Sequence, residues 1–251
     1  MKKILKIAAV AAMVLGCSAC SQTQEEEISW QDQLIEENTL IVGISPDYPP
    51  YESLENGEMV GFDVDMMAEL EKYLGVNVEF EQMTFSTIVD AVNLGQVDVG
   101  VSGFTYDPER QVLFSDPYLE SAQVILTKKD SGIESAADLS GKVVGAQLGT
   151  TGADAAAEIE GASVELNQDA NILVEALKAG QMDAVVVDLL VAQNYEESDS
   201  SLVVLDEPLV DEENGIICST SNELLMDALN DAIAQFKESD AYEELKTKWG
   251  M

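Results

Sequence analysis

The stretch IVDAVNLGQVDVGVSG (88–103) has a counterpart 85 residues further on, LVEALKAGQMDAVVVD (173–188). In each, apolar residues recur at helical spacing, a Gly-Gln pair follows, and an Asp opens a short apolar run. Gly95 and Gly180 suit the left-handed position just past a helix end. The runs VDVGVSG and DAVVVD read as strands buried on both faces. The offset maps Gly103 onto Asp188, so both fall at the carboxyl end of a parallel strand, where open α/β sheets bind ligands. Helix–turn–strand units look alike in any α/β protein, and that plainer origin also accounts for the echo.

Alternation continues on both sides of the pair. TLIVGIS (39–45), VNVEFEQ (76–82), AQVILTKK (122–129) and KVVGAQLG (142–149) read as strands, and LVVLDEPL (202–209) and NGIICS (214–219) as later apolar returns. Asp63 is expected to cap a helix that carries Met66, Met67, Leu70, Tyr73 and Leu74 on one face, and Ser86 to cap the next. Residues 222–249 read as helical. Strands and helices alternating about a middle region predict two α/β lobes joined by extended hinge segments.

The chain holds 48 Asp and Glu against 12 Lys and Arg, with no His, for a formal charge of −36. Such a surface repels nucleic acid and anionic headgroups. No CxxC, His cluster or ordered acidic loop appears, so neither a metal nor another cofactor is expected. The N-terminus, MKKILKIAAVAAMVLGC (1–17), has a basic start, an apolar stretch and small Gly16 before Cys17. It reads as an export signal, too short for a permanent membrane span. Val14-Leu15-Gly16-Cys17 resembles a bacterial lipobox, in which Cys17 is lipidated after cleavage. Cys20 is a second candidate, and an ordinary signal with both cysteines incidental is the alternative. SQTQEEE (21–27) reads as a flexible acidic spacer. The expected organisation is a signal (1–16), a lipid-anchored tether (17–36), a first lobe (37–123), a second lobe (124–211) and a return to the first (212–251). Cys218 reads as a buried small residue rather than half of a bridge.

The only arginine, Arg110, stands in GFTYDPERQVLFSDPY (103–118). Its planar fork of donors suits bidentate capture of a carboxylate. DPER reads as Asp107 at the N-cap, Pro108 at the first helical position and Arg110 in the first turn. A helix start attracts anions and disfavours a cation unless an anion sits beside it. A structural ion pair with one of the many acids is the competing reading. Asp188 ends an apolar strand with no Lys or Arg in VVVDLLVAQ, so a buried carboxylate there wants a cation from elsewhere. An ordinary surface acid is the alternative. Gly149, Thr150 and Thr151 end one strand and open GADAAAEI, a start whose amides and hydroxyls suit an anion, although GTTG is a common turn.

Taken together, LIVGISPDYPPYES, GEMVGFDVDMMAEL, TFSTIVDAVNLGQVDVGVSGFTYDPERQVLFSDPY, GTTGADAA, MDAVVVD and SDAYEELKTKWG resemble the polar amino-acid-binding proteins of bacterial ABC importers, in order, from 39 to 250. The resemblance implies the type II periplasmic-binding-protein fold: two lobes, each a mainly parallel sheet flanked by helices, joined by two hinge strands. It implies that Arg110 clamps a ligand α-carboxylate with help from the Thr105 hydroxyl, and that Asp188 pairs with the α-ammonium, which the Gly103 backbone also faces. Ser102 is an adjacent candidate. Gly149, Thr150 and Thr151 would hold the same carboxylate from the second lobe, and Tyr48 and Phe85 would sandwich the ligand side chain. Core and surface roles for those two aromatics compete with that assignment. Ser45 stands where several binders of basic amino acids have an acid, which argues against lysine or arginine unless Asp47 compensates. Asp107 departs from the threonine often found at its position.

The implied activity is that of an extracytoplasmic, lipid-anchored, monomeric binding protein that delivers an α-amino acid to an ABC permease. A sensing module using the same clamp is an alternative. A dehydratase on the same fold is the third reading, and acid–base work would then need a tuned His, Glu or Lys in the cleft. Lys142 precedes a strand and is badly placed for that.

Overall fold

One device occurs in each lobe, a glycine-terminated helix whose exit into the next strand is pinned by an aspartate. The computed structural model describes residues 29–251; the export signal, Cys17, Cys20 and the spacer 21–27 lie outside them. Ser29 caps a 3-10 turn at Trp30–Gln33, and Ile35 donates its N–H to Asp98 Oδ1 at 2.9 Å. Trp30 and Leu34 rest against the core, so the end of the stretch read as tether belongs to the folded body.

The first lobe begins with β1 (Thr39–Ile44), followed by a small antiparallel meander of β2 (Asp47–Tyr48), β3 (Glu52–Glu55) and β4 (Glu58–Val60). Helix α1 (Phe62–Leu74), β5 (Asn77–Gln82), α2 (Phe85–Asn93), β6 (Val99–Gly100) and β7 (Leu113–Phe114) follow. The second lobe contains β8 (Leu119–Lys128), β9 (Val143–Gln147), α3 (Thr151–Ala157), β10 (Ser163–Asn167), α4 (Ala170–Lys178), β11 (Ala184–Asp188), α5 (Leu189–Ser198) and β12 (Leu202–Val204). The chain returns through β13 (Val210–Asn214) to β14 (Ile217–Cys218), α6 (Glu223–Lys237) and α7 (Asp240–Trp249).

The two sheets have the same plan. In the first, β5, β1 and β6 are parallel in that order; in the second, β10, β9 and β11 are. Among the described residues the other pairings in both sheets are antiparallel. The expectation of mainly parallel sheets therefore holds only for three strands in each. The reason lies in the connections: β8 and β14 arrive from the opposite lobe and enter against the local direction. β8 and β13 are the two crossing strands, and they pair with each other from Leu119↔Asn214 to Gln123↔Val210.

Side chains alternate across β1 as a two-residue period requires. Leu40 and Val42 meet Met66, Met67 and Leu70 of α1, and Ile41 meets Phe85, Ile88 and Val92 of α2. In the second lobe Val144 and Val186 pack against Ala156 of α3, and Val185 and Val187 join Leu173 and Leu177 of α4. Gly95 and Gly180 both take positive φ, 65° and 73°. The following N–H groups, Gln96 and Gln181, each return 2.9 Å bonds to carbonyls within their helices. Asp98 and Asp183 then repeat one bracket: each accepts a strand N–H, of Ile41 at 2.8 Å and of Val143 at 2.9 Å, on its carboxylate. Cys218 is buried and free, and burial pushes its thiol up to about 12.

Three local expectations change. Helix α1 starts after Gly61, whose φ is 146°, and Asp63 turns into the core instead of capping. Tyr73 leaves the apolar face and is exposed. The cap of α2 is Thr84, not Ser86.

Candidate functional site

The carboxyl end of β6 forms one wall. Gly103, at a positive φ of 56°, donates its N–H to Asp63 Oδ2 at 3.0 Å. Its carbonyl accepts from Asn214 Nδ2 at 3.1 Å. The Thr105 hydroxyl donates to Glu212 Oε2 on β13 at 2.9 Å, so its proton is directed at the hinge and not at a ligand. Ser102 Oγ donates to Glu52 Oε1 and accepts from Ser45 N.

Behind this wall Glu52 and Asp63 are both fully buried. Burial, and next the Asp63 charge, push Glu52 well above the carboxylate range, and burial raises Asp63 as well. Each keeps one oxygen without a donor among the described residues, Glu52 Oε2 and Asp63 Oδ1. One proton shared between the two carboxyls satisfies both, because two buried charges so close cannot both ionise.

Arg110 follows no helix. Asp107 and Arg110 close a single turn, with Arg110 N bonded to Asp107 O at 3.1 Å and Glu109 N to Asp107 Oδ1 at 2.8 Å. The Asp107 side chain captures the backbone two residues on, an Asx turn, and no helix propagates. The cap signal was genuine, but it served a turn. The guanidinium is 10 % exposed, with Nε 3.5 Å from Asp107 Oδ2. Nη1 donates to Thr105 O at 3.2 Å, and Nη2 reaches across to Gly149 O of the second lobe at 3.0 Å. Its carbon lies 5.3 Å from the Phe104 ring and 5.6 Å from Phe85. Of five N–H donors, three are engaged in this way.

From the second lobe, Thr150 accepts from Ala153 N at 3.1 Å and donates to Gln147 O at 2.8 Å. Asp188 caps α5 by accepting from Leu190 N at 2.9 Å, and it lies 3.1 Å from Tyr51 Oη. That hydroxyl also sits 2.9 Å from Asn214 Oδ1, and it has one proton for two acceptors. Burial pushes the Asp188 carboxyl up to about 7. Its N–H donates to Tyr48 Oη at 3.1 Å. Asp47 makes a further link between lobes, accepting from Gln147 Nε2 at 2.8 Å and from Ala170 N at 2.9 Å. With Ser45 Oγ also bonded to it at 2.7 Å, Asp47 accepts from three donors.

Together these elements line a nearly closed cavity of about 10 Å³. Eight of the ten expected ligand residues line it: Tyr48, Phe85, Ser102, Gly103 and Thr105 with Arg110, Thr150 and Thr151. Gly149 touches Arg110 through its carbonyl, and Asp188 stands behind Tyr48 and Tyr51. Two wall residues escaped the sequence reading, Gln123 and Gln147; the available signal was an amide side chain within an otherwise apolar strand. A wider groove opens alongside, sharing Thr105 and Thr151 with the cavity and bordered by Asp107, Asp154, Glu158, Glu160, Asp211 and Glu212. Lys142 pairs with Asp183 at 3.3 Å, far from this wall in the bracket of β11.

Residues 40–251 match the family model described as bacterial extracellular solute-binding proteins, family 3. The chain belongs to that family. It is 34% identical over 256 residues to an arginine-binding extracellular protein of Bacillus subtilis (strain 168), covering 99% of this chain and 98% of the relative. An L-cystine-binding protein of Escherichia coli (strain K12) is 31% identical over 245 residues, covering 95% and 91%. The crystal structure of an ancestral amino acid-binding protein, a precursor of cyclohexadienyl dehydratase, superimposes with a TM-score of 0.82 at 35% identity, over 88% of this chain and 99% of that one. The resemblance read from the motifs and the type II periplasmic-binding-protein fold both stand.

Proposed function

We propose that this family member captures an α-amino acid between its lobes, as a lipoprotein held at the outer face of the cell membrane through Cys17, and delivers it to an ABC permease. The lobes, 37–123 with 212–251 and 124–211, close over the ligand as a monomer. The observation that carries this reading is the enclosed cavity whose wall contains the chain's one guanidinium, with N–H donors to spare, between aromatic rings. Arg110 takes the α-carboxylate, with Thr151 facing it from the second lobe, and Asp188 balances the α-ammonium. The Arg110–Gly149 bond supports this reading, because the guanidinium already touches both lobes. Relatives that bind arginine or cystine support an amino acid as the ligand class.

Binding without turnover is the reading favoured by the wall itself, which offers amides, hydroxyls, aromatics and Arg110 in place of a carboxylate, lysine or histidine for proton transfer. A thermal-shift screen of the L-amino acids, with cystine, tests the function. At least one should raise the melting temperature in a concentration-dependent way; none doing so overturns it. Palmitate labelling that survives Cys20→Ala and disappears in Cys17→Ala tests the anchor.

A further inference from the structure

Gln123 lies on β8, one of the two crossing strands, and is 4 % exposed. Its Nε2 donates to Glu212 Oε2 at 2.8 Å. With Nε2 donating to Glu212, Oε1 is left pointing away from it. That oxygen is buried and has no donor among the described residues. Native structures rarely leave such a group unmatched without a use for it. Gln123 lines the same cavity as Arg110 and Thr105. Its oxygen approaches the Thr150–Gly152 turn so closely that a Cβ added to Gly152 would lie 2.6 Å from it. Across the β8–β11 ladder Gln123 stands directly opposite Asp188, and opposite residues of an antiparallel pair project from one face.

We propose that Gln123 is a ligand-positioning residue whose amide oxygen accepts an N–H of the bound amino acid's ammonium group, beside Asp188. The inference rests on the amino-acid reading above and adds a residue to it. The Thr105–Glu212–Gln123 chain has a second effect: Glu212 sits on β13, so both crossing strands hold the acceptor in place. A ligand donor seated there is tied to the segments that flex when the lobes part. Glycine at 152 leaves room for the amide, and a side chain at that position would displace it.

The test compares the wild type with Gln123→Met, which keeps length and volume but removes the acceptor. The two are titrated calorimetrically with L-arginine, L-glutamine, L-histidine and L-cystine. For whichever probe binds the wild type, the dissociation constant should rise about tenfold or more, as for loss of a hydrogen bond to a charged group. The melting temperature of the free protein should change little, because the lost Nε2 bond to Glu212 is offset by removal of an unmatched buried acceptor. Equal affinity in the two proteins, or a lower melting temperature with unchanged affinity, overturns the inference and leaves the amino-acid function intact. Binding of none of the probes by the wild type overturns this inference. Whether the function also fails is decided by the wider screen. Should Gln123→Met not fold, Glu212→Gln gives the same decision: it lets the amide reverse, so weakened binding supports the assignment and wild-type binding overturns it.

Discussion

The two lobes are built from one unit and differ in what they place at its end. In both, a helix stops at a left-handed glycine, and the next N–H folds back onto the helix. In both, an aspartate clamps the neighbouring strand. Past that point the first lobe continues through Gly103 into the turn that carries Arg110, whereas the second ends directly on Asp188. The first also hides an acid pair under its wall. The scaffold was therefore repeated while the chemistry at its tip was not: the first lobe sets a guanidinium in the cavity wall, and the second a carboxyl buried behind Tyr48 and Tyr51.

The largest way to break this comparison is Arg110→Ala. It should weaken amino-acid binding by about 3 kcal/mol or more, because a desolvated ligand carboxylate loses its partner; calorimetry at wild-type affinity would sink the assignment. Next is the bracket. Asp98→Ala leaves the N–H groups of Ile35 and Ile41 without their acceptor, a cost of about 2–3 kcal/mol in denaturant unfolding. Asp183→Ala, at a side chain 35% exposed, should cost about 1 kcal/mol. Equal losses at the two sites would show that the brackets are energetically as well as geometrically alike.

The acid pair predicts a smaller, pH-dependent asymmetry. Glu52, Asp63 and Asp188 all have native pKa values raised by burial. The native state thus holds protons that the unfolded chain has already released, and stability falls as pH rises. For Asp188 the fall runs from the ordinary carboxylate range up to about 7. The melting temperature should be several degrees higher at pH 5 than at pH 8, with about 2–4 °C per kcal/mol at this size. Glu52→Gln, which keeps a donor for Asp63 and an acceptor for Ser102, should flatten that slope; an unchanged slope would place its origin elsewhere.

Much of the scaffold was legible because its signals are local. Glycine stops, apolar runs and the 85-residue offset need no knowledge of distant contacts. Strand direction was not legible, since a buried run such as Ala122–Leu126 looks the same whichever way its neighbour points. Asp63 and Asp107 were both read as helix caps from composition. One became a core acid because Gly61 already turns the chain, and the other closed an Asx turn. The charged ends of the site were visible as isolated residue types. Gln123 was not, because its meaning depends on Glu212, a residue 89 positions away.

The row of carboxylates beside the cavity acts before any pocket contact is made. A net-negative solute approaching it meets repulsion, while a neutral or cationic one does not, so charge biases the association rate. Brine blurs that sorting: at 1 M salt the field fades within about 3 Å, and visitors of every charge then arrive on nearly equal terms.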